Sequence, residues 1–319
     1  MRATTILAGL LTVGGCDAAA SPDIRPMNRA QAPDGFWDHW GDGNAEVSGY
    51  TLTQPRYGQQ RPGEVVMVFV TETFTHRQRV KSDGGHRDTY PIIKLNEARD
   101  FQTGVYDYNV MTSAFVPLDG SLPQGVPTKV SFSMQEWCGM TFAELTAAYT
   151  PGTDPTTFNL HGSSYFDGES KTDRSVDIPP GGVTADALPV YVRGLAGEWL
   201  KPGEQRTIGY LPRLMDSRMQ HRPMAWTTAT ARRSETPSEI TVPAGTFTIE
   251  TITVDPDGFG ETRWMVETEP PHRIIAWTGP GGERAELTGS YRGPYWQQHG
   301  RGQETIRQRL GLPRPHWVQ

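Results

Sequence analysis

A mainly β fold, a curved antiparallel sheet or half-open barrel with one central helix, is what this sequence of 319 residues predicts. Three observations lead there. The chain holds 35 Gly, 26 Pro and 9 Trp with abundant Thr, which favours short strands joined by turns over a helical bundle. Apolar and polar residues alternate over several runs, the pattern of a strand with one face on a core. Turn signals such as Asp257-Gly258 separate successive runs in the C-terminal half. They read as hairpins, and hairpins impose antiparallel order because parallel strands need long crossovers.

Taken in order, the run 64–74 carries Val65, Val66, Val68, Phe69 and Val70 on both faces, so both are expected to be covered. Further strands are expected over 105–116, 128–137 (Val130, Phe132, Met134), 141–149, 158–166 and 206–211. In 184–200, Leu188, Val192, Leu195 and Trp199 recur at helical steps and form one apolar stripe. Thr184 or Asp186 can cap that helix, Pro189 is tolerable in its first turn, and Lys201-Pro202-Gly203 stops it. It either links two β-rich halves or plugs the curved sheet. A meander follows. Strand 240–242 turns through Pro243-Ala244-Gly245 into 246–254, Asp257-Gly258 leads into 260–267, Pro270-Pro271 into 273–277, and Gly279-Pro280-Gly281-Gly282 into 283–291. A polar tail, 297–319, is expected to hold a short helix over 303–310.

The first residues concern address. Arg2 precedes an apolar run, 3–13, and Val13-Gly14-Gly15-Cys16 closes it. The run is too short to span a bilayer, which takes about 20 residues, and its order is that of a cleavable secretory signal. The segment resembles a lipoprotein signal peptide with its lipobox, which implies acylation (palmitate) at Cys16 and a cell-envelope location on the periplasmic face of the inner or outer membrane. The alternative is an ordinary signal cut after Ala18, Ala19 or Ala20, with Cys16 discarded. Asp17 resembles an inner-membrane retention signal, and the leaflet stays open. The expected organisation is therefore a signal peptide (1–15), a lipid-anchored tether (16–40), a β-rich domain (41–296, with halves 41–180 and 183–296) and the tail.

A formal charge of −6 without a Lys/Arg cluster excludes nucleic acid as a partner. With 2 cysteines and one acylated, Cys138 has no intramolecular partner, so the fold stands on core packing. The expected partners are the membrane, through the anchor, and a lipid or apolar ligand; no protein partner is identified and no cofactor is indicated.

Asp186-Ala187-Leu188-Pro189, Arg193, Val242-Pro243-Ala244-Gly245-Thr246-Phe247, Trp264-Met265 and Pro271-His272-Arg273-Ile274 resemble a domain family of unknown function found in exported bacterial proteins. The resemblance covers 183–292 better than 45–292. It implies a half-barrel around a helix, like that of periplasmic lipoprotein carriers, and no particular chemistry.

Candidate chemistry is sparse. Cys138 follows Glu136-Trp137, and Glu136 raises a thiol pKa where a nucleophile needs it lowered. His161, His221 or His272 would have to approach it in space. The histidines show no zinc spacing, and Asp38-His39-Trp40-Gly41-Asp42-Gly43-Asn44 lacks the distal Glu of a calcium loop, so no metal is expected. The carboxylate pairs Glu267/Glu269 and Asp167/Glu169 have the composition of strand outer faces as well as of a glycosidase pair. The densest polar-aromatic stretch offers a ligand groove of Lys94, Asn96, Arg99, Asp100, Tyr106 and Tyr108, with Trp137 and Cys138. The leading expectation is non-enzymatic binding of an apolar or amphipathic ligand, or of an envelope partner, by a concave sheet face that needs covering. The alternatives are an envelope hydrolase or transferase using Cys138 or a carboxylate pair, and a structural scaffold.

Overall fold

The computed structural model describes residues 24–85 and 87–313, so the signal peptide and Cys16 lie outside the described residues. The chain enters through β1 (Arg29–Gln31) and α1 (Phe36–Trp40). It continues through β2 (Ala45–Arg56), β3 (Gln59–Thr75), β4 (Thr89–Thr103), β5 (Tyr106–Pro117), β6 (Asp119–Pro123), β7 (Lys129–Glu136), β8 (Gly139–Ala147), β9 (Thr157–Ser164) and β10 (Lys171–Asp177). The middle holds β11 (Gly182–Thr184), α2 (Leu188–Val192), β12 (Gln205–Leu211) and α3 (Leu214–Met219). The meander comprises β13 (Thr227–Arg233), β14 (Ser238–Val242), β15 (Gly245–Pro256), β16 (Thr262–Glu267), β17 (Ile274–Gly279) and β18 (Glu283–Gly293).

All but β1 and β6 join one sheet of 16 strands, in the order β10-β9-β8-β7-β5-β4-β3-β2-β18-β17-β16-β15-β13-β12-β11, with β14 beside β15. Pairing is antiparallel except between β11 and β12. The two sequence halves are thus hydrogen-bonded through β2 and β18, from Arg284↔Thr53 to Gly293↔Ala45. The sheet curls without closing into a barrel. Its two margins meet through side chains instead of a ladder: Arg174 Nη2 donates to Met224 O at 2.7 Å, and Trp226 Nε1 donates to Asp177 O.

Alternation sets the two faces. Val65, Met67 and Phe69 of β3, with Val130, Phe132 and Met134 of β7, point inward and are buried. The inside is filled by the chain itself. Leu188, Val190, Tyr191, Leu195, Trp199 and Leu200 share one core with Trp264, Trp277 and the inward residues of the strands. The helix expected over 184–200 is shorter. A 3-10 turn (Ala185–Ala187) leads into α2, which ends at Arg193 because Gly194 takes φ 67. Gly194 N bonds Tyr191 O and Leu195 N bonds Val190 O, a Schellman stop. The stripe residues are buried as expected, and so are their neighbours, because a plug is surrounded by sheet.

Two further expectations change. The tether does not extend to residue 40: Met27, Ala30, Phe36 and Trp40 are buried, since β1 pairs β6 and α1 packs on the core. The tail is not solvated throughout either. The expected short helix is a 3-10 segment (Gln303–Leu310), and Leu310 and Leu312 cover Val47, Val68 and Val70 on the outer face of the sheet.

Candidate functional site

At one end of the half-barrel the hairpin turns β2–β3, β4–β5 and β7–β8 stand in a row, and α3 lies across the opening. The helix is short and two-faced: Met215, Asp216 and Met219 line one depression, and Leu214, Ser217 and Arg218 line another. Leu214 and Met215 are buried, so α3 is the lid of the core at this mouth.

The first depression, about 250 Å³, is floored by charge. Arg99 is 1% exposed and bonds Gln54 Oε1 at 2.7 Å, Glu97 Oε1 at 2.8 Å and Glu283 Oε1 at 3.0 Å. Trp277 Nε1 donates to the same Glu283 oxygen at 2.9 Å, and Arg213 reaches Glu283 Oε2 at 3.1 Å and both Asp216 oxygens at 2.9 Å. Burial would push the Glu283 carboxyl up, but Arg213, Arg99 and the indole donor hold it far below the carboxylate range. Asp186 goes the other way: burial pushes it up to about 7, against the Leu214 amide and Arg213. On the rim, Tyr57 and Gly58 make the two-residue β2–β3 turn with φ 53 and 69, as a type I′ turn requires. That turn brings the Tyr57 hydroxyl 2.8 Å from Tyr108 and its ring 4.2 Å from the Arg56 guanidinium.

The second depression, a groove of about 270 Å³, runs between α3 and the wall of β7 to β10. Phe132, Ala143, Leu160, Leu214 and Met224 give it an apolar side. Arg174, Arg218, Arg222 and Glu169, with the His221 imidazole, give it a polar one. Arg218 Nε donates to Thr141 Oγ1 at 3.0 Å and its guanidinium sits 4.2 Å above the Phe166 ring. His221 Nδ1 meets Glu169 Oε1 at 2.8 Å. Neither Arg174 nor Arg222 has a carboxylate partner among the described residues; they donate to Met224 O and Gly258 O.

The eight residues of the expected groove divide between the two faces. Lys94, Asn96 and Asp100 lie on the outer face, bonded to Glu72, Ser113 and Asn109 at 2.7, 2.7 and 2.8 Å. Arg99 points inward to the charged floor. Tyr106, Tyr108 and Trp137 come together at the mouth, with ring centroids 5.9 and 6.4 Å apart. Cys138 is exposed beside them. Its hydrogen bond with Glu136 pushes the thiol up, and His221 is engaged with Glu169. Of the carboxylate pairs, Glu267 is held by Arg273 at 2.8 Å and Glu169 by His221. Asp42 accepts from Asn44 and Arg292. Among the described residues no group of three or more His, Cys, Asp or Glu is arranged to hold a metal, and no helix is long and apolar enough to cross a membrane.

Arg213, Asp216, Glu283, Arg174 and Arg218 were not singled out from sequence as site residues. Pro212 ahead of Arg213-Leu214-Met215-Asp216-Ser217-Arg218 was the available signal: an i, i+3 ion pair and an apolar pair on one short helix. The motif residues of the family resemblance have structural roles. Asp186 bonds the first amide of α3, while Arg193 grips Glu46 and the carbonyls of Pro271 and His272 at the opposite end of the half-barrel.

No family model matches the chain, and no curated protein is significantly similar to it. Among solved structures it is similar to the crystal structure of a β-barrel-like protein of a domain of unknown function, DUF1849, from Brucella abortus. The TM-score is 0.43 at 8% identity, over 78% of this chain and 97% of that one. A likeness of that degree carries neither activity nor ligand across.

Proposed function

We propose that this protein is an envelope lipoprotein, anchored through Cys16, that binds a small anionic amphiphile in the groove beside α3 without transforming it. One observation carries the reading: the groove sets an apolar wall against three arginines, with Glu169 as the single carboxylate among its lining residues. An acyl chain would lie on Phe132, Leu160 and Met224, and its acid group would meet Arg174 and Arg222, which donate to the Met224 and Gly258 carbonyls and, for Arg222, lie over the Phe259 ring, with no carboxylate partner among the described residues. At about 270 Å³ the groove is below the roughly 300–1,000 Å³ usual for drug-sized ligands, so a single short chain fits and a two-chain lipid does not. The interior of the half-barrel offers no alternative seat, because α2 and Trp199 fill it. A hydrolytic reading through Cys138 is less well supported, given the raised thiol and the absence of a contacting histidine among the described residues.

Calorimetric titration with decanoate and decanol tests this. Decanoate is expected to bind and decanol to bind about ten-fold or more weakly. Leu160→Trp, which fills the groove, should abolish both, and Arg174→Gln should weaken decanoate alone. Equal binding of acid and alcohol, or indifference to Leu160→Trp, overturns the proposal. The anchor is tested separately by mass spectrometry of the mature N-terminus and by the membrane fraction of a Cys16→Ala form.

A further inference from the structure

Five of the nine large hydrophobic side chains exposed among the described residues stand on the mouth: Tyr57, Val105, Trp137, Met140 and Tyr165. They occupy the turns β2–β3, β4–β5, β7–β8 and the end of β9, which are successive hairpin tips on one margin. Neighbouring strands lie about 4.8 Å apart, so successive tips recur at roughly 10 Å. The ridge is continuous. Tyr57 bonds Tyr108, the Tyr106 ring lies tilted between Tyr108 and Trp137, and the Tyr165 ring lies over the Gly139 backbone next to Cys138. Val105, Trp137 and Tyr165 are 73%, 71% and 73% exposed, far beyond what scattered surface apolar residues need.

The chain's start points to the same side. Arg29 is fixed at the opposite end, bonded to Gly120 O and Asp154. Going backward from it, the chain runs along the margin of β11 and β12 until Ile24 and Arg25 lie against Gly181. The Gly181 carbonyl accepts from Gly209, two residues short of the mouthward end of β12. Eight residue steps lead from Ile24 back to Cys16, a reach of up to about 29 Å, against about 7 Å left to the end of that strand.

From these two observations we infer that the hairpin tips form a membrane-contacting rim, which inserts its aromatic side chains into the headgroup region of a bilayer and turns the mouth toward the lipid. Trp and Tyr have the amphipathic rings that suit this interface. The attraction is apolar rather than electrostatic, because Asp107, Glu136 and Asp167 stand among the same tips. Anionic lipid therefore gives no advantage and salt little effect. The inference deepens the reading of an anchored envelope binder and uses Cys16 to orient the molecule, but the rim's affinity for lipid is a property of its own.

The full chain carrying Cys16→Ala has Cys138 as its single thiol, already on the rim, and an environment-sensitive fluorophore there reports insertion directly. With phosphatidylcholine vesicles the emission is expected to shift to the blue. The shift should be equal with vesicles containing one-third phosphatidylglycerol and should persist in high salt. Flotation of the unlabelled chain gives a second readout, in which Tyr57→Ser/Tyr165→Ser should need about ten-fold more lipid, both residues being exposed and outside the core. Four results overturn the inference. They are no shift at saturating lipid, a shift that disappears in salt, flotation indifferent to the double variant, and a shift that follows protein concentration without lipid, which would make the rim a contact between copies. Failure of decanoate binding, or a Cys16 found unacylated in cells, would leave these vesicle results unchanged, so the two readings fail separately.

Discussion

Asp186 Oδ2 accepts the backbone amide of Leu214 at 3.1 Å, so one buried carboxyl ties the plug inside the half-barrel to the helix across its mouth. Arg213, Asp216 and Glu97 surround that carboxyl. Burial raises it from 3.8 to about 7, and the folded chain therefore holds a proton that the unfolded chain releases. Its stabilising contribution is complete below pH 4 and is lost as the pH rises toward 7. Asp186→Asn keeps the acceptor and removes the titration. Urea unfolding at pH 5 and pH 7.5 should show the variant less pH-dependent than the parent, with a relative gain at the higher pH on the order of 2 kcal/mol. Parallel pH profiles for the two would show that Asp186 is ionised in the fold.

Glu283 has the opposite sign. Its carboxylate is held down by Arg213 and Arg99, so its contribution is present above the ordinary glutamate range and is lost as the pH falls below it. Glu283→Gln leaves two buried guanidinium groups short of a counter-charge, and removing one partner of a buried pair costs about 3–5 kcal/mol. The variant should unfold at lower urea and should lose part of the parent's sensitivity to acid below pH 4.5. An unchanged midpoint would mean that Asp216 and Glu97 satisfy both arginines alone.

Arg193 grips both oxygens of Glu46, at 2.8 and 2.9 Å, and donates to the carbonyls of Pro271 and His272 at 2.9 and 2.8 Å. The clamp joins the end of α2 to β2 and to the turn before β17, elements far apart in sequence. Arg193→Met is expected to cost about 3–5 kcal/mol, because Glu46 is then left in the core without its partner. The double variant Glu46→Gln/Arg193→Met should recover part of that loss in the same urea series, whereas additive losses would mean that the two residues do not interact.

These contacts mark what the sequence could and could not reveal. The meander was legible because Pro243-Ala244-Gly245, Asp257-Gly258 and Gly279-Pro280-Gly281-Gly282 punctuate it, and the strands β14 to β18 begin and end beside those turns. In sequence β4 is only a polar stretch, since Lys94, Asn96 and Asp100 face outward while Glu97 and Arg99 face in, and charge on both faces erases the alternation. β10 is a margin strand of sequence KTDRSVD, polar as exposed edges usually are. Arg99 stands out for its company in sequence, yet its partners Gln54 and Glu283 lie 45 and 184 residues away and only the curled sheet reveals them. The docking of the tail was hidden for a similar reason: Leu310 and Leu312 form no period of their own and find their partners on β2 and β3.

Cys138 offers a direct check on the rim's electrostatics. It is exposed, and the hydrogen bond with Glu136 is the main reason that its thiol is raised. The folded protein should react with a maleimide or a disulfide probe, but more slowly at pH 7.5 than an unhindered thiol, and the rate should climb with pH beyond the usual range. Glu136→Gln should accelerate the reaction several-fold at pH 7.5 without changing its limiting rate at high pH. Equal rates in the two proteins would mean that Glu136 does not contact the sulfur in solution.

The outer face of the sheet supplies the last prediction. Gly49 of β2 and Gly289 of β18 are cross-strand partners, and together they leave a notch without side chains on that face. The C-terminal segment sits in it: a Cβ at Gly49 would lie 2.6 Å from Leu310 O and 2.8 Å from Leu310 Cβ, and one at Gly289 would strike Arg309 O. Thr288 Oγ1 donates to Leu310 O, and Arg307 pairs with Glu64, so polar contacts hold the segment beside the notch. Neither glycine is required by its φ; both are required by the approach of another backbone. Gly49→Ala should therefore expel the segment rather than distort the strand, and an overpacking loss of about 1–3 kcal/mol is the upper limit, since the chain can yield by undocking. Limited trypsin digestion reads this out, because Arg307 and Arg309 lie in the docked segment. The variant should be cut there many times faster than the parent while the sheet stays resistant, and a parent-like rate would show that the segment is not seated on the glycines.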